Sequence, residues 1–256
     1  ARNMNEARIA LVTGGTRGLG REMALALARQ GHDVVITYRT RADEAAAVCR
    51  EVEALGRRAL RLELDTAHSD TFPAFVERLQ GSLRGQWQRE RIDYLVNNAG
   101  IEAHAAFGQT QEQQFDALMN VHFKGVYFLT QALLPVVNDG GGIVFVSSGL
   151  ARFAVAGYAA YAAMKAAVES VSRYVAKELG PRRIRANVVA PGVIETDFTR
   201  PGFEAHPGMR DFLAAQTALG RIGQPQDIGG VVAFLCSDAA GWVTAQRIEA
   251  SGGMFL

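Results

Sequence analysis

Tyr161 and Lys165 stand four residues apart in Tyr-Ala-Ala-Met-Lys, inside an alanine-rich run from Val155 to Val171 with high helical propensity. Four residues along a helix is just over one turn, so both side chains project from one face. A free phenol has a pKa near 10, and only about one in a thousand is ionised at pH 7. A fixed ammonium beside it favours the phenolate, and a shift of about three units needs roughly 4 kcal/mol. The spacing therefore predicts a lysine that depresses the tyrosine's pKa until the phenol exchanges protons at neutral pH. Alone, such a pair usually means a packed ring beside a solvated charge, so it needs support from elsewhere in the chain.

That support is at the start of the chain. Arg8-Ile-Ala-Leu-Val12 reads as a buried strand, Thr13-Gly-Gly-Thr-Arg-Gly-Leu-Gly20 as a glycine-rich turn, and Arg21 to Gln30 as an amphipathic helix. In this context Gly14 permits a tight turn, Gly18 lets the backbone approach a pyrophosphate, and Gly20 lets the helix close on the strand. The helix start offers free N–H groups and a partial positive charge to phosphates. The spacing is Gly-x-x-x-Gly-x-Gly rather than the usual Gly-x-Gly-x-x-Gly.

In this order come Thr13–Gly20, Asp65 after the apolar run Leu60–Leu64, Asn97-Asn-Ala-Gly100, Asn120, Ser148, the Tyr161/Lys165 pair and Asn187–Thr196. On these residues the chain resembles the short-chain dehydrogenase/reductase family, in its compact single-domain branch, from about Ile9 to Gly253. The resemblance implies a Rossmann-type α/β fold: a doubly wound parallel sheet of about seven strands with helices on both faces. It implies four catalytic positions. Ser148, thirteen residues before the tyrosine and preferred on that spacing over its neighbour Ser147, would hold the substrate oxygen. Tyr161 would pass the proton, Lys165 would bind the nicotinamide ribose, and Asn120 would hold a water linking the lysine to solvent. A buried amide serving local backbone is the plainer role for Asn120.

The same resemblance implies dinucleotide contacts from Gly14, Thr16, Arg17, Gly18, Leu19 and Gly20, from Tyr38, Arg39 and Thr40, and from Asp65 and Thr66. Asn98, Ala99 and Gly100, with Pro191, Gly192, Ile194 and Thr196, would complete them. Asp65 would accept from the adenine amine, or else cap the turn Asp-Thr-Ala-His-Ser. Phe153, Val155, Tyr158, Val193 and Phe198 would line a mainly apolar substrate pocket, and 197–223 would be a loop-like lid. At the C-terminus, relatives often read Thr-Gly-Gln and Asp-Gly-Gly where this chain has Thr244-Ala-Gln and Ala250-Ser-Gly-Gly253. The missing acid near 251 leaves the C-terminal packing open.

Charge addresses which dinucleotide. Preference for NAD needs a carboxylate at the C-terminal end of the second strand. Asp33 lies at the opposite end of His32–Arg39, about 15 Å away at ~3.3 Å per residue. Where the acid belongs stand Tyr38, Arg39, Thr40 and Arg41, with Arg17 in the glycine turn. Arg17 and Arg39 together suit a 2′-phosphate, so NADP(H) is expected over NAD(H). Arg41 reads equally as a solvated charge.

The 256 residues carry no linker, repeat or charge block, which predicts a single domain over 1–256. Apolar runs at 34–36, 92–96, 143–146 and 184–190 alternate with helical stretches, as βα units do. A net charge of +1 gives no case for nucleic acid or an anionic membrane. No apolar stretch approaches the ~20 residues of a membrane span. The first strand begins too early for a signal peptide, with Met4 expected as the natural start. Cys49 and Cys236 fall in helical patterns and read as packing residues of a reduced, cytoplasmic protein. Five scattered histidines make no metal site. Gly81 to Arg91 lengthens the approach to the fourth strand relative to the family pattern, without an assigned role.

These features lead to an NADPH-dependent carbonyl reductase, most like the 3-oxoacyl-[acyl-carrier-protein] reductases of fatty acid biosynthesis. Its partner would be a small-molecule or carrier-bound ketone. A sugar, steroid or secondary alcohol dehydrogenase is the neighbouring reading, and a non-catalytic NADP-binding sensor the one of another class. The resemblance also implies a homotetramer or homodimer, with the small residues of Ala159–Ala167 allowing close approach.

Overall fold

The computed structural model describes residues 7–256; Met4 and the residues before it lie outside the described residues. Seven strands form one parallel sheet in the order β3-β2-β1-β4-β5-β6-β7. They are β1 Ile9–Val12, β2 Asp33–Tyr38, β3 Ala59–Glu63, β4 Ile92–Asn97, β5 Val137–Val146, β6 Arg185–Pro191 and β7 Arg247–Ala250. Between them run α1 Gly18–Arg29, α2 Ala42–Ala54, α3 Phe72–Trp87, α4 Glu112–Met119, α5 Gly125–Leu133 and α6 Ala159–Leu179. Then come α7 Arg200–Ala205, α8 Met209–Ala215 and α9 Pro225–Leu235.

Alternation along β1 shows how the two faces are used. Ala10 and Val12 join Met23 and Leu27 of α1, Val48 and Val52 of α2, and Ile228 and Val232 of α9 in one core. Ile9 and Leu11 face the other way, into Phe75 and Leu79 of α3, Leu129 and Leu133 of α5, and Val168 of α6. Parallel strands covered on both faces must be apolar throughout, which is why β1 reads as a continuous run rather than an alternating one. The strand order reverses between β1 and β4, and the crevice beyond their C-terminal ends is where ligands bind in such sheets.

The lengthened Gly81–Arg91 approach to β4 is largely helical, because α3 continues through it to Trp87. Its buried stripe Phe72, Phe75, Leu79, Leu83, Trp87 has helical spacing, so each side chain gains roughly 2–3 kcal/mol from burial and outweighs the two glycines. Gln88 then ends the helix in the left-handed region at φ 54°. The 197–223 segment carries two short helices, α7 with Pro201 in its first turn and α8 entered through Gly208 at φ 91°.

Cys49 and Cys236 are buried free thiols. Trp242 is fully exposed. No described helix is long and apolar enough to cross a membrane, and no described group of His, Cys, Asp and Glu could hold a metal ion.

Candidate active site

β5 delivers two serines to the crevice, and the structure separates them. Ser147 is 3% exposed and its Oγ donates to Glu169 Oε1 at 2.7 Å, so it serves the interior. Ser148 sits at the rim, where its Oγ accepts from Leu150 N–H at 3.2 Å and caps the turn Gly149–Ala151. The first turns of α6 place Tyr161 and Lys165 beside it. Lys165 Nζ donates to the Val146 carbonyl at 2.7 Å and lies 5.7 Å from the Tyr161 ring centroid. The pair thus shares one face, as the spacing predicts.

The expected depression of the phenol is not what these surroundings produce. Burial pushes Tyr161 up to about 12, with the Ser148 hydroxyl opposing it. Burial also draws Lys165 down to about 8. Desolvation disfavours both charged forms, and the ammonium is held at a carbonyl behind the ring face rather than at the phenol oxygen. At neutral pH the tyrosine is therefore a protonated acid with a mainly cationic lysine behind it.

Asn120 opens a five-residue π turn, Asn120–Lys124, that joins α4 to α5. Its carbonyl accepts from Gly125 N–H, and its side chain makes no hydrogen bond among the described residues. The side chain of this turn that meets the tyrosine is His122, whose ring stands 5.1 Å from that of Tyr161 at 81°. Asn120 stands two residues before His122 in the same turn. Bonding from i to i+5 shifts the helical phase, so 3.6-residue spacing does not tell which side chain turns inward.

On the dinucleotide side, Gly14 and Gly18 adopt φ 63° and 52°. A Cβ on Gly20 would overlap the Gly14 carbonyl, so α1 closes on the turn only because position 20 is glycine. Asn98 braces this turn: its amide donates to the carbonyls of Thr13 at 2.9 Å and Gly14 at 3.2 Å. Thr13 Oγ1 accepts from the N–H groups of Asn98 and Ala99, both at 2.9 Å. A Cβ on Gly18 would be in ordinary contact with Thr196, whose atoms begin 3.7 Å from it, so the two segments meet over the turn. The first N–H groups of α1, which begins at Gly18, have no intrahelical partners and suit a pyrophosphate.

Arg17, Arg39 and Thr40 are exposed, with Tyr38 half-buried. Arg41 pairs with Glu44, while neither Arg17 nor Arg39 has an acidic partner among the described residues. Asp33 is fully buried and bound to Arg57, Arg58 and Trp87, so it cannot serve a ribose. Asp65 Oδ1 accepts from Ala67 N–H at 3.0 Å, the turn-capping role. Thr66 is buried, its carbonyl against Gly125. Gly192 N–H donates to Ala250 at 3.1 Å, and the Ile194 carbonyl accepts from Thr199 Oγ1 at 2.7 Å, which fixes the loop after Pro191.

A family model described as enoyl-(acyl carrier protein) reductase matches residues 14–255. The chain belongs to the short-chain dehydrogenase/reductase family. An uncharacterised oxidoreductase of Methylorubrum extorquens is 39% identical over 97% of this chain and 98% of its own. A 3-oxoacyl-[acyl-carrier-protein] reductase of Staphylococcus aureus is 34% identical over 99% of this chain and 100% of its own. The structure of an angucycline C-6 ketoreductase with bound NADP superposes with a TM-score of 0.91 at 37% identity, covering 97% of this chain and 95% of that one.

In this short-chain dehydrogenase/reductase aromatic side chains gather around Tyr161. Tyr158 stands 6.4 Å from Tyr161 and 5.0 Å from His104, which the sequence reading had not singled out. Phe153 meets Phe255 at 4.9 Å. Val155 and Phe198 are about two-fifths exposed and Val193 half-buried. Near 251, Glu249 accepts from Arg152 at 2.7 Å, Arg247 at 2.9 Å and Ser251 Oγ at 2.7 Å.

Proposed function

We propose that the protein is an NADPH-dependent ketoreductase. The cofactor, when bound, supplies the hydride for the carbonyl carbon. Ser148 Oγ holds the substrate's carbonyl oxygen, Tyr161 donates its phenolic proton to that oxygen, and Lys165 binds the ribose and keeps a positive charge behind the ring. The observation that carries this reading is the buried Lys165 behind the half-buried Tyr161, the lysine drawn down to about 8 and the phenol pushed up to about 12 by desolvation. A protonated acid backed by a cation is the protonation state that a reduction uses. Arg17 and Arg39 take the 2′-phosphate, Thr16, Gly18, Leu19 and Thr196 surround the pyrophosphate, and Asn98, Ala99, Gly100, Pro191, Gly192 and Ile194 flank the nicotinamide half. The NADP bound in the angucycline ketoreductase supports this choice of cofactor.

Within this class, a 3-oxoacyl group on acyl carrier protein agrees with the Staphylococcus aureus relative. A free aromatic or polycyclic ketone is favoured by the 197–223 segment, the lid in this reading. Its arginines are all paired: Arg200 with Asp197 at 2.9 Å, Arg210 with Glu195 at 2.6 Å and Arg221 with Asp227 at 2.7 Å. They leave no unpaired arginine there for an acidic carrier, while His104, Tyr158 and Phe153 suit flat rings. In either case the enzyme acts in the cytoplasm as a homotetramer or homodimer, with the exposed Tyr127, Phe128 and Tyr174 facing a neighbour.

The test is NADPH oxidation, followed at the reduced nicotinamide band, with a carrier-bound 3-oxoacyl thioester and with a fused-ring ketone. Turnover of the fused-ring ketone alone supports the second substrate. NADPH binding without turnover of any ketone would mean a sensor rather than an enzyme.

A further inference from the structure

His122 is 2% exposed and belongs to none of the roles above. Its Nε2 lies 2.7 Å from the Ile101 carbonyl oxygen. A carbonyl only accepts, so Nε2 carries the ring proton and Nδ1 is a bare lone pair. The Ile101 N–H, 3.1 Å from the same Nε2, could be accepted only by the opposite tautomer, and the shorter contact to the carbonyl decides against it. Nδ1 is buried and has no hydrogen-bond partner. An orphaned interior acceptor costs about 1–3 kcal/mol, so proteins rarely keep one without use.

Its surroundings indicate the use. The imidazole stands edge-on to the Tyr161 ring at 5.1 Å. Gly100 makes the room, since a Cβ there would lie 2.8 Å from the imidazole Cε1. Burial first, and the Lys165 charge second, hold the ring neutral down to about 3, with the Ile101 carbonyl opposing. Tyr161 and Lys165 from α6 are the titratable groups that face it. Lys165 has three donors and uses one, on Val146.

We propose that His122 is a positioning residue for the Tyr161–Lys165 pair: it braces the phenol ring, and its Nδ1 accepts a hydrogen bond from the Lys165 ammonium, directly or through one water, in the NADP-bound enzyme. A neutral acceptor at this place keeps the ammonium oriented without competing for its charge. The proposal rests on the ketoreductase reading, and its test separates the two.

In nitrogen-15 spectra of the parent protein with NADP⁺ bound, the histidine is expected as the Nε2–H tautomer with a hydrogen-bonded Nδ1. An unbonded Nδ1, or an Nδ1–H tautomer, overturns the proposal. In kinetics, His122→Asn, which keeps an amide donor and acceptor, is expected to retain kcat within about tenfold. His122→Phe, which keeps the ring but neither nitrogen, is expected to lose about 10²-fold in kcat with KM for NADPH unchanged and the alkaline limb displaced. A Phe variant with parental kcat and parental pH profile also overturns it. Where that variant fails to fold, the parent's spectrum decides. A protein that turns over no ketone yet shows the bonded Nδ1 refutes the ketoreductase reading alone.

Discussion

Trp87 Nε1 donates to Asp33 Oδ2 at 2.8 Å, and this bond commits the one acid of β2 to structure. Burial raises the Asp33 carboxyl, but Arg58 N–H, Trp87, Arg57 and the Arg58 guanidinium together bring it below its usual range. Trp87→Phe is expected to cost about 2 kcal/mol, the worth of a hydrogen bond to a charged group. Asp33→Asn should cost more, since it strips the charge that Arg57 and Arg58 share. Thermal melts measure both, and the ratio of NADPH to NADH activity should not move in either variant.

That ratio should instead follow Arg17 and Arg39. Each charge-assisted contact to a 2′-phosphate is worth about 1.5–3 kcal/mol, so each change to Ala is expected to raise KM for NADPH roughly 10- to 100-fold. KM for NADH should stay near the parent value. Equal weakening of both cofactors would remove the phosphate assignment.

Tyr161→Phe is expected to lower kcat by about 10²- to 10⁴-fold while NADPH still binds, as read by turnover and by nucleotide titration.

The parent's pH profile carries a separate signature. Lys165 titrates at about 8, so kcat/KM for reduction should be level below about pH 7 and fall as the pH rises through 8. The folded pKa lies below the unfolded value near 10.4, so between these values the unfolded chain binds more protons. The lysine's contribution to stability therefore increases with pH across that window. Activity that falls while this contribution grows distinguishes titration from unfolding, and Lys165→Met melts alongside the parent isolate it.

Glu249 sets an acid limit. The Arg152 hydrogen bond foremost, against burial and with Ser251 and Arg247 assisting, brings it down to about 2. Its contribution is whole above the unfolded value near 4.3 and is lost as the pH falls through 2. Glu249→Gln should melt below the parent at pH 7, and the two should converge toward pH 2.

The sequence reads well where local pattern and tertiary need coincide. The apolar runs at 34–36, 92–96, 143–146 and 184–190 lie in or at the edge of β2, β4, β5 and β6. The Tyr161/Lys165 spacing predicts their common face because α6 is a regular helix there. The protonation balance was not legible, since desolvation depends on what covers the ring. Nor was His122, because the π turn changes the phase that spacing assumes. Gly81 and Gly85 lie inside α3 despite their poor propensity, because the buried stripe ending in Trp87 outweighs it.

The chain's two tryptophans lie in opposite surroundings, Trp87 enclosed at 4% exposure and Trp242 fully open to solvent. Intrinsic fluorescence therefore has two separable sources. A red shift on denaturation follows the enclosed indole, whereas a blue shift with rising protein concentration follows the open one being shielded by another molecule. A single unlabelled sample thus distinguishes loss of fold from self-association.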